Sequence, residues 1–222
     1  MTSIVKPNRP CAALGHAWQW PGNSEPFLTL EVFIDYCCPF SARIFTKLTE
    51  EVIPHYNTTE TPSAIKLIFQ QIPQPWHPQS ATMHESVLAV RHLYGIEKTN
   101  EYQALLMAAR EDFTDYRCCN ETRMQTSSRL AELAGTLDGI DAKDVMVRLT
   151  PVFSETSKNS GSPSIRVLKF YVKQHRQLGI HVSPTCRING MVVDTSSGWT
   201  LKQWNEFLDP MIQLASSGYK RN

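Results

Sequence analysis

This 222-residue chain predicts an α/β fold: a central mixed sheet flanked by helices, with an all-helical subdomain inserted into it. Three observations carry that reading. A strand, a helix and a second strand follow one another between residues 28 and 72. Helical periodicity then runs unbroken by any strand signal from Ser80 to about Arg148. Last comes a helix–strand–strand–helix close, with Asn189-Gly190 marking a two-residue hairpin.

Residues 1 to 25 hold Pro7, Pro10, Gly15, Pro21 and Gly22 and read as an N-terminal arm, with Ala17 to Trp20 as a short lead-in strand. Leu28-Thr-Leu-Glu-Val-Phe-Ile is apolar and β-branched, a buried strand ending near Asp35 and Tyr36. Cys38-Pro39-Phe40-Ser41 follows, then a helix with Phe40, Ile44, Phe45, Leu48 and Val52 near one face, which Pro54 is expected to close. Ala64 to Ile72 alternates as a second strand. Strand, helix and strand at this spacing predict a right-handed unit with the two strands parallel. Pro73-Gln-Pro-Trp-His-Pro78 is too rich in proline for a helix or a central strand.

The helical stretch divides at Gly95, a plausible stop, and continues as helices over Glu101–Arg110, Thr122–Leu137 and Asp141–Leu149. A polar loop spans Ser154 to Gly161. Ser162-Pro163 supplies an N-cap and a first-turn proline for a helix that Gly179 ends. Thr185–Ile188 and Met191–Asp194 form the hairpin arms. Thr200 with Gln203 makes a capping box for a last helix, in which Pro210 should produce a kink or a register shift.

The bulk composition narrows the function. A hydrophobic share of 41% supports a real core, and a net charge of +1 gives no reason to expect nucleic acid or a membrane as partner. No apolar run approaches membrane-spanning length. Lys6 and Arg9 are not followed by the apolar stretch of a secretory signal, so a soluble, cytoplasmic protein is expected. The six cysteines are Cys11, Cys37-Cys38, Cys118-Cys119 and Cys186; they form no Cys-x-x-Cys and complete no zinc set. Free thiols are the expected state, with no metal. Cys38 is the exception in reactivity. It sits where a strand hands over to a helix N-terminus, whose unpaired amides and dipole favour the thiolate, the reactive form.

Phe33-x-Asp35-x-x-Cys38-Pro39-x-Ser41, Val182-Ser183-Pro184-Thr185 before the hairpin, and Ile72-Pro73-x-Pro75-Trp76-His77-Pro78 together resemble the thioredoxin superfamily in its DsbA-like branch. The resemblance implies a thioredoxin-like core from residues 26–74 and 180–222, with 75–179 as the helical insertion; the helix at about 162–179 is free to pack with the core. It also implies a cis peptide before Pro184 and a catalytic Cys38. In the family a second cysteine resolves the mixed disulfide. Here that position is Ser41, which cannot form a disulfide, so the expected chemistry is monothiol exchange with Ser41 as thiolate partner. Substrate contacts are implied for Pro39, Phe40, Trp76, His77, Ser183 and Pro184. His77 reads as a general base or a packing residue, and Asp35 as a proton acceptor or a group that satisfies backbone.

The first functional reading is therefore a monothiol thiol–disulfide oxidoreductase without a tightly bound cofactor, acting on a protein disulfide or a small thiol, with glutathione as a possible co-substrate. A second is a glutathione transferase or isomerase similar to the kappa class, in which Ser41 would stabilise the glutathione thiolate. A third is a non-catalytic binding module. The sequence assigns no oligomeric state.

Overall fold

The computed structural model describes residues 15–20, 25–61, 63–153, 155–156 and 158–218. Cys11 and most of the expected N-terminal arm lie outside these residues, as do Ser154 and Ser157 of the expected polar loop. The sheet has five strands in the order β1-β3-β2-β4-β5. They are β1 (His16–Ala17), β2 (Leu28–Ile34), β3 (Ile65–Gln71), β4 (Thr185–Ile188) and β5 (Met191–Val193). β2 is central. It pairs in parallel with β3 from Leu28↔Ile65 to Ile34↔Gln71 and antiparallel with β4 from Leu30↔Ile188 to Phe33↔Thr185. Leu30, Val32 and Ile34 join the main core, and Phe33 packs with Ile72 and Ile180 in a separate small cluster. β1 is shorter than expected and starts one residue earlier. Gln19 takes φ 42°, a left-handed conformation that turns the chain off the sheet edge.

Helix α1 (Pro39–Lys47) runs into a π turn over Leu48–Val52 and on into α2 (Ile53–Tyr56). Pro54 therefore does not close the helix. The π turn widens the backbone, with Ile53 N–H reaching back to Leu48 O, and Pro54 follows in α2, where the carbonyls one turn back belong to the partly exposed Thr49 and exposed Glu50.

The helices between β3 and β4 are α3 (Ser80–Ala108), α4 (Asp115–Cys118), α5 (Arg123–Ala134), α6 (Ala142–Leu149) and α7 (Pro163–Gln177). α3 is broken at Gly95, whose φ 82° and ψ −170° suit glycine and little else. Thr122 and Gln125 form a reciprocal capping box on α5, and Ser162 caps α7 by accepting the Ile165 amide at 3.0 Å. Buried Glu85 of α3 accepts two bonds from Arg123 of α5, at 2.9 and 2.8 Å, and a third from Ser162, so one carboxylate ties three helices. The closing helix α8 (Leu201–Gly218) seats Trp204 and Leu208 in the core. It runs on through Pro210; that residue and Glu206, whose carbonyl loses its partner, both lie exposed, where water can satisfy the group. Among the described residues no helix is long and apolar enough to cross a membrane.

Candidate functional site at the end of β2

The carboxyl ends of parallel strands β2 and β3 lie side by side, so the loops that follow them share one edge of the sheet. β2 delivers Asp35 to Cys38; β3 delivers Pro73 to Pro78. Cys38 is the N-cap of α1, with extended backbone (φ −76°, ψ 122°), and its carbonyl accepts the first helical bond from Ala42 at 3.1 Å. Pro39 holds the first helical position. Cys38 is 6% exposed, and its sulfur lies 3.6 Å from the carbonyl oxygen of Ser183, to which its S–H donates. The Ser183–Pro184 peptide is cis. Residues 145 apart in sequence therefore meet at this thiol.

Ser41 is fully buried. Its Oγ accepts the Asp35 amide at 3.2 Å and so caps the end of the strand, while the Cys38 sulfur donates to the Ser183 carbonyl. Three exposed apolar side chains adjoin site residues in the chain: Phe40 is 53% exposed, Trp76 59% and Val182 58%. Phe40 is two residues from Cys38, and Val182 adjoins Ser183. Trp76 adjoins His77, which is bound to Asp35.

Beneath the thiol lies a buried polar assembly. Asp35 is wholly inaccessible, yet its carboxylate accepts bonds from Cys37 N (3.1 Å), Gln74 N (3.3 Å), Ser80 Oγ (2.6 Å) and His77 Nδ1 (2.7 Å). His84 Nε2 stands 3.6 Å away, beyond a good hydrogen bond but within ion-pair reach. Burial raises the Asp35 pKa, but the closeness of the His84 ring, then the bonds from Ser80 and His77, outweigh it and hold the group down at about 2. His84 in turn is lowered by burial against the pull of Asp35, and its Nδ1 meets Gln71 Oε1 at 2.6 Å. Gln71 and Gln103 both donate to Tyr36 Oη, at 3.1 and 2.7 Å, and both approach His16. Burial, then Arg91 and His84, push His16 down to about 3.

The neighbouring thiols differ from Cys38. Cys37 is enclosed by Gln79 Nε2 (2.9 Å) and Phe113 O (3.7 Å); burial, then the charges of Asp35 and Asp115, push its thiol up to about 12. Cys186 in β4 is pushed up to about 11 by burial. Cys118 is half-buried at the end of α4, where burial also raises it, and Cys119 is exposed. Among the described residues no group of three histidine, cysteine or acidic side chains is arranged to hold a metal. A cavity of about 920 Å³ lies against Trp18, Lys66 and Asn100, and no candidate site residue lines it.

No family model matches the chain, and no curated protein sequence matches it either. Solved structures do. A Pseudomonas syringae protein, provisionally named a protein-disulfide isomerase, is 24% identical with a TM-score of 0.65, over 86% of this chain and 96% of its own. BdbD from Bacillus subtilis, in its oxidised form, is 16% identical (TM-score 0.57, 86% of this chain and 91% of that one). The thiol-disulfide exchange protein alpha-DsbA2 from Wolbachia pipientis is 17% identical (TM-score 0.58, 89% and 87%). The fold is thioredoxin-like. Its mixed five-stranded sheet, with helices between β3 and β4, has the architecture of these DsbA-like neighbours.

Within that fold, Cys38, Ser183 and Pro184 come together directly, and His77 joins them through Asp35. Sequence reasoning left Asp35 undecided and missed His84, Ser80 and Gln71. One signal was available: Ser80 and His84 are four apart, hence on one face of α3.

Proposed function

We propose that this protein carries out thiol–disulfide exchange through the single nucleophile Cys38, cycling by mixed disulfides. The observation that carries the reading is the position of Cys38 at the start of α1, its sulfur against the Ser183 carbonyl, with a serine where a resolving thiol would stand. Ionisation removes the S–H donor and frees the Ser183 carbonyl to accept an amide from an extended ligand. Phe40, Trp76 and Val182 are exposed apolar side chains next to site residues and suit contact with a peptide chain, and Pro39 and Pro184 adjoin the thiol and its carbonyl partner.

The thiolate attacks one sulfur of a substrate disulfide, and the other sulfur leaves as a thiolate. A Cys38 mixed disulfide results. Ser41 cannot displace it, so an external thiol such as glutathione completes the cycle. Full burial of Ser41, with its oxygen on the Asp35 amide, weighs against the kappa-like alternative, in which that hydroxyl would touch glutathione. Residues 75–179 are the inserted helical unit in this reading.

The test is incubation of the reduced protein with oxidised glutathione, followed by intact-mass and peptide analysis. One adduct is expected on Cys38, and Cys38→Ala should abolish it. Adducts confined to Cys118 or Cys119 would sink the reading.

A further inference from the structure

We propose that the Asp35–His77 pair is a proton-transfer device whose substrate is the external thiol that resolves the Cys38 mixed disulfide. This rests on the exchange reading above and adds a second catalytic side chain to it. The geometry assigns the proton. An ionised carboxylate can only accept, so at 2.7 Å from Asp35 Oδ2 it is His77 Nδ1 that carries hydrogen. In the neutral ring that leaves Nε2 as the acceptor. Burial separates the roles: Asp35 and His84 have no exposed side chain, whereas His77 retains 19% of its own. One residue therefore opens outward from an otherwise sealed cluster.

The pair is also tied to the nucleophile. Asp35 accepts the Cys38 amide on its carbonyl at 3.0 Å and the Cys37 amide on its carboxylate at 3.1 Å, so His77 and the Cys38 turn hang on the same residue. Ser80 Oγ and Gln74 N pin the carboxylate from the start of α3 and the preceding loop, and His84 backs it from one turn further along α3. The Cys38 sulfur donates to the Ser183 carbonyl, and in the proposed role His77 Nε2 serves another thiol. A base oriented by a buried carboxylate is the arrangement that thiol and hydroxyl activation requires.

The need for such a base follows from Ser41. An alkyl thiol with a pKa near 8.5 is mostly protonated at neutral pH, and the thiolate is what attacks. In the proposed step His77 Nε2 takes the proton from the incoming thiol. The new thiolate attacks the substrate sulfur of the mixed disulfide; one S–S bond forms as the Cys38–substrate S–S bond breaks. The electron pair leaves on the Cys38 sulfur at the head of α1, and His77 returns its proton to solvent. The incoming thiol and the released group end as one disulfide, so no further oxidant or reductant is consumed.

The experiment loads Cys38 to completion with excess oxidised glutathione, removes the excess, adds reduced glutathione at neutral pH and follows loss of the adduct by mass. His77→Ala is expected to slow release by about tenfold or more, as for a thiol only a few per cent ionised at neutral pH, and added imidazole should restore it. His77→Gln, which still donates to Asp35 and so keeps the local fold, should be equally slow. Asp35→Asn removes the charge that orients the ring and should also slow release, but without rescue by imidazole, because the His77 ring still fills its own site. Release from His77→Ala at the wild-type rate, or slow release from that variant that imidazole does not restore, overturns the proposal alone. If Cys38 never loads, this proposal and the exchange reading fall together.

Discussion

The adjacent cysteines just beyond β2 have different partners because a turn, closed by the Cys38 amide on the Asp35 carbonyl at 3.0 Å, carries the chain from strand to helix between them. Cys37 meets Gln79 and Phe113, where burial, then the acidic groups Asp35 and Asp115, oppose a thiolate. Cys38 turns to the Ser183 carbonyl at the head of α1. With Cys37 pushed up to about 12 and Cys186 to about 11, neither supplies thiolate near neutrality. Iodoacetamide at pH 8 is therefore expected to label Cys38 and the exposed Cys119 in the folded protein, leaving Cys37 and Cys186 untouched until denaturant is added. Peptide mass mapping decides it, and labelling of Cys37 as fast as Cys38 would contradict this assignment. At this scale the sequence pointed to Cys38 over Cys37 through the strand-to-helix junction. It did not reveal that Ser41 is spent on the Asp35 amide, because that contact depends on how the first helical turn folds back over the strand end.

Elements obey local rules where the rule is about a cap and depart from them where the backbone has another route. The capping residues Thr122, Asp141, Ser162 and Thr200 all start helices where their side chains can accept the early amides. Pro54 instead passes through a widened π turn. Gly95 divides α3 by conformation, not by space. A Cβ added there would meet nothing within 4 Å, yet φ 82° with ψ −170° is a region that residues with a side chain avoid. Backbone strain of about 1–3 kcal/mol exceeds the roughly 0.4–1 kcal/mol that alanine recovers by restricting the unfolded chain. Gly95→Ala should therefore destabilise by about 1–2 kcal/mol in urea unfolding. A neutral or stabilising result would mean that the two arms of α3 rejoin as one helix.

At the scale of the whole molecule, a buried polar seam runs between the sheet and α3, from Asp35 through His84 and Gln71 to Tyr36, Gln103 and His16. This seam makes stability depend on pH. His16 drops from its ordinary 6.5 to about 3 on folding, so below pH 6.5 the unfolded chain binds a proton that the folded one refuses, and stability falls as pH drops. From pH 6.5 to pH 4 the loss is on the order of 3 kcal/mol, and lowered His84 adds to it in the same direction. Asp35, held at about 2 against an ordinary 3.8, contributes stability that is full above pH 4 and fades between 4 and 2, about 2 kcal/mol in all. Urea unfolding at pH 7 and pH 4.5 should show a clear drop for the wild type and a smaller one for His16→Asn. Equal drops in both would exclude His16 as a source.

Much of the architecture was readable from short stretches of the chain. Strand alternation over 28–34 and 65–71, the Asn189-Gly190 turn and the Ser162-Pro163 start each act within a few residues, so the sequence by itself determined the order of elements, the helices between β3 and β4, and the place of Cys38 at a helix start. The seam was not readable. His16, Asp35, Gln71, His84 and Gln103 are buried polar groups, and burial of a polar side chain leaves no hydrophobic period to detect. The approach of Asp35 to His77 follows from the parallel register that sets Ile34 opposite Gln71, and the approach of Ser183 to Cys38 from β4 lying beside β2. Those pairings join residues 42 and 145 positions apart. Only the packed sheet decides them, because hydrogen bonds at such separations form only after the chain has already been brought together by its core.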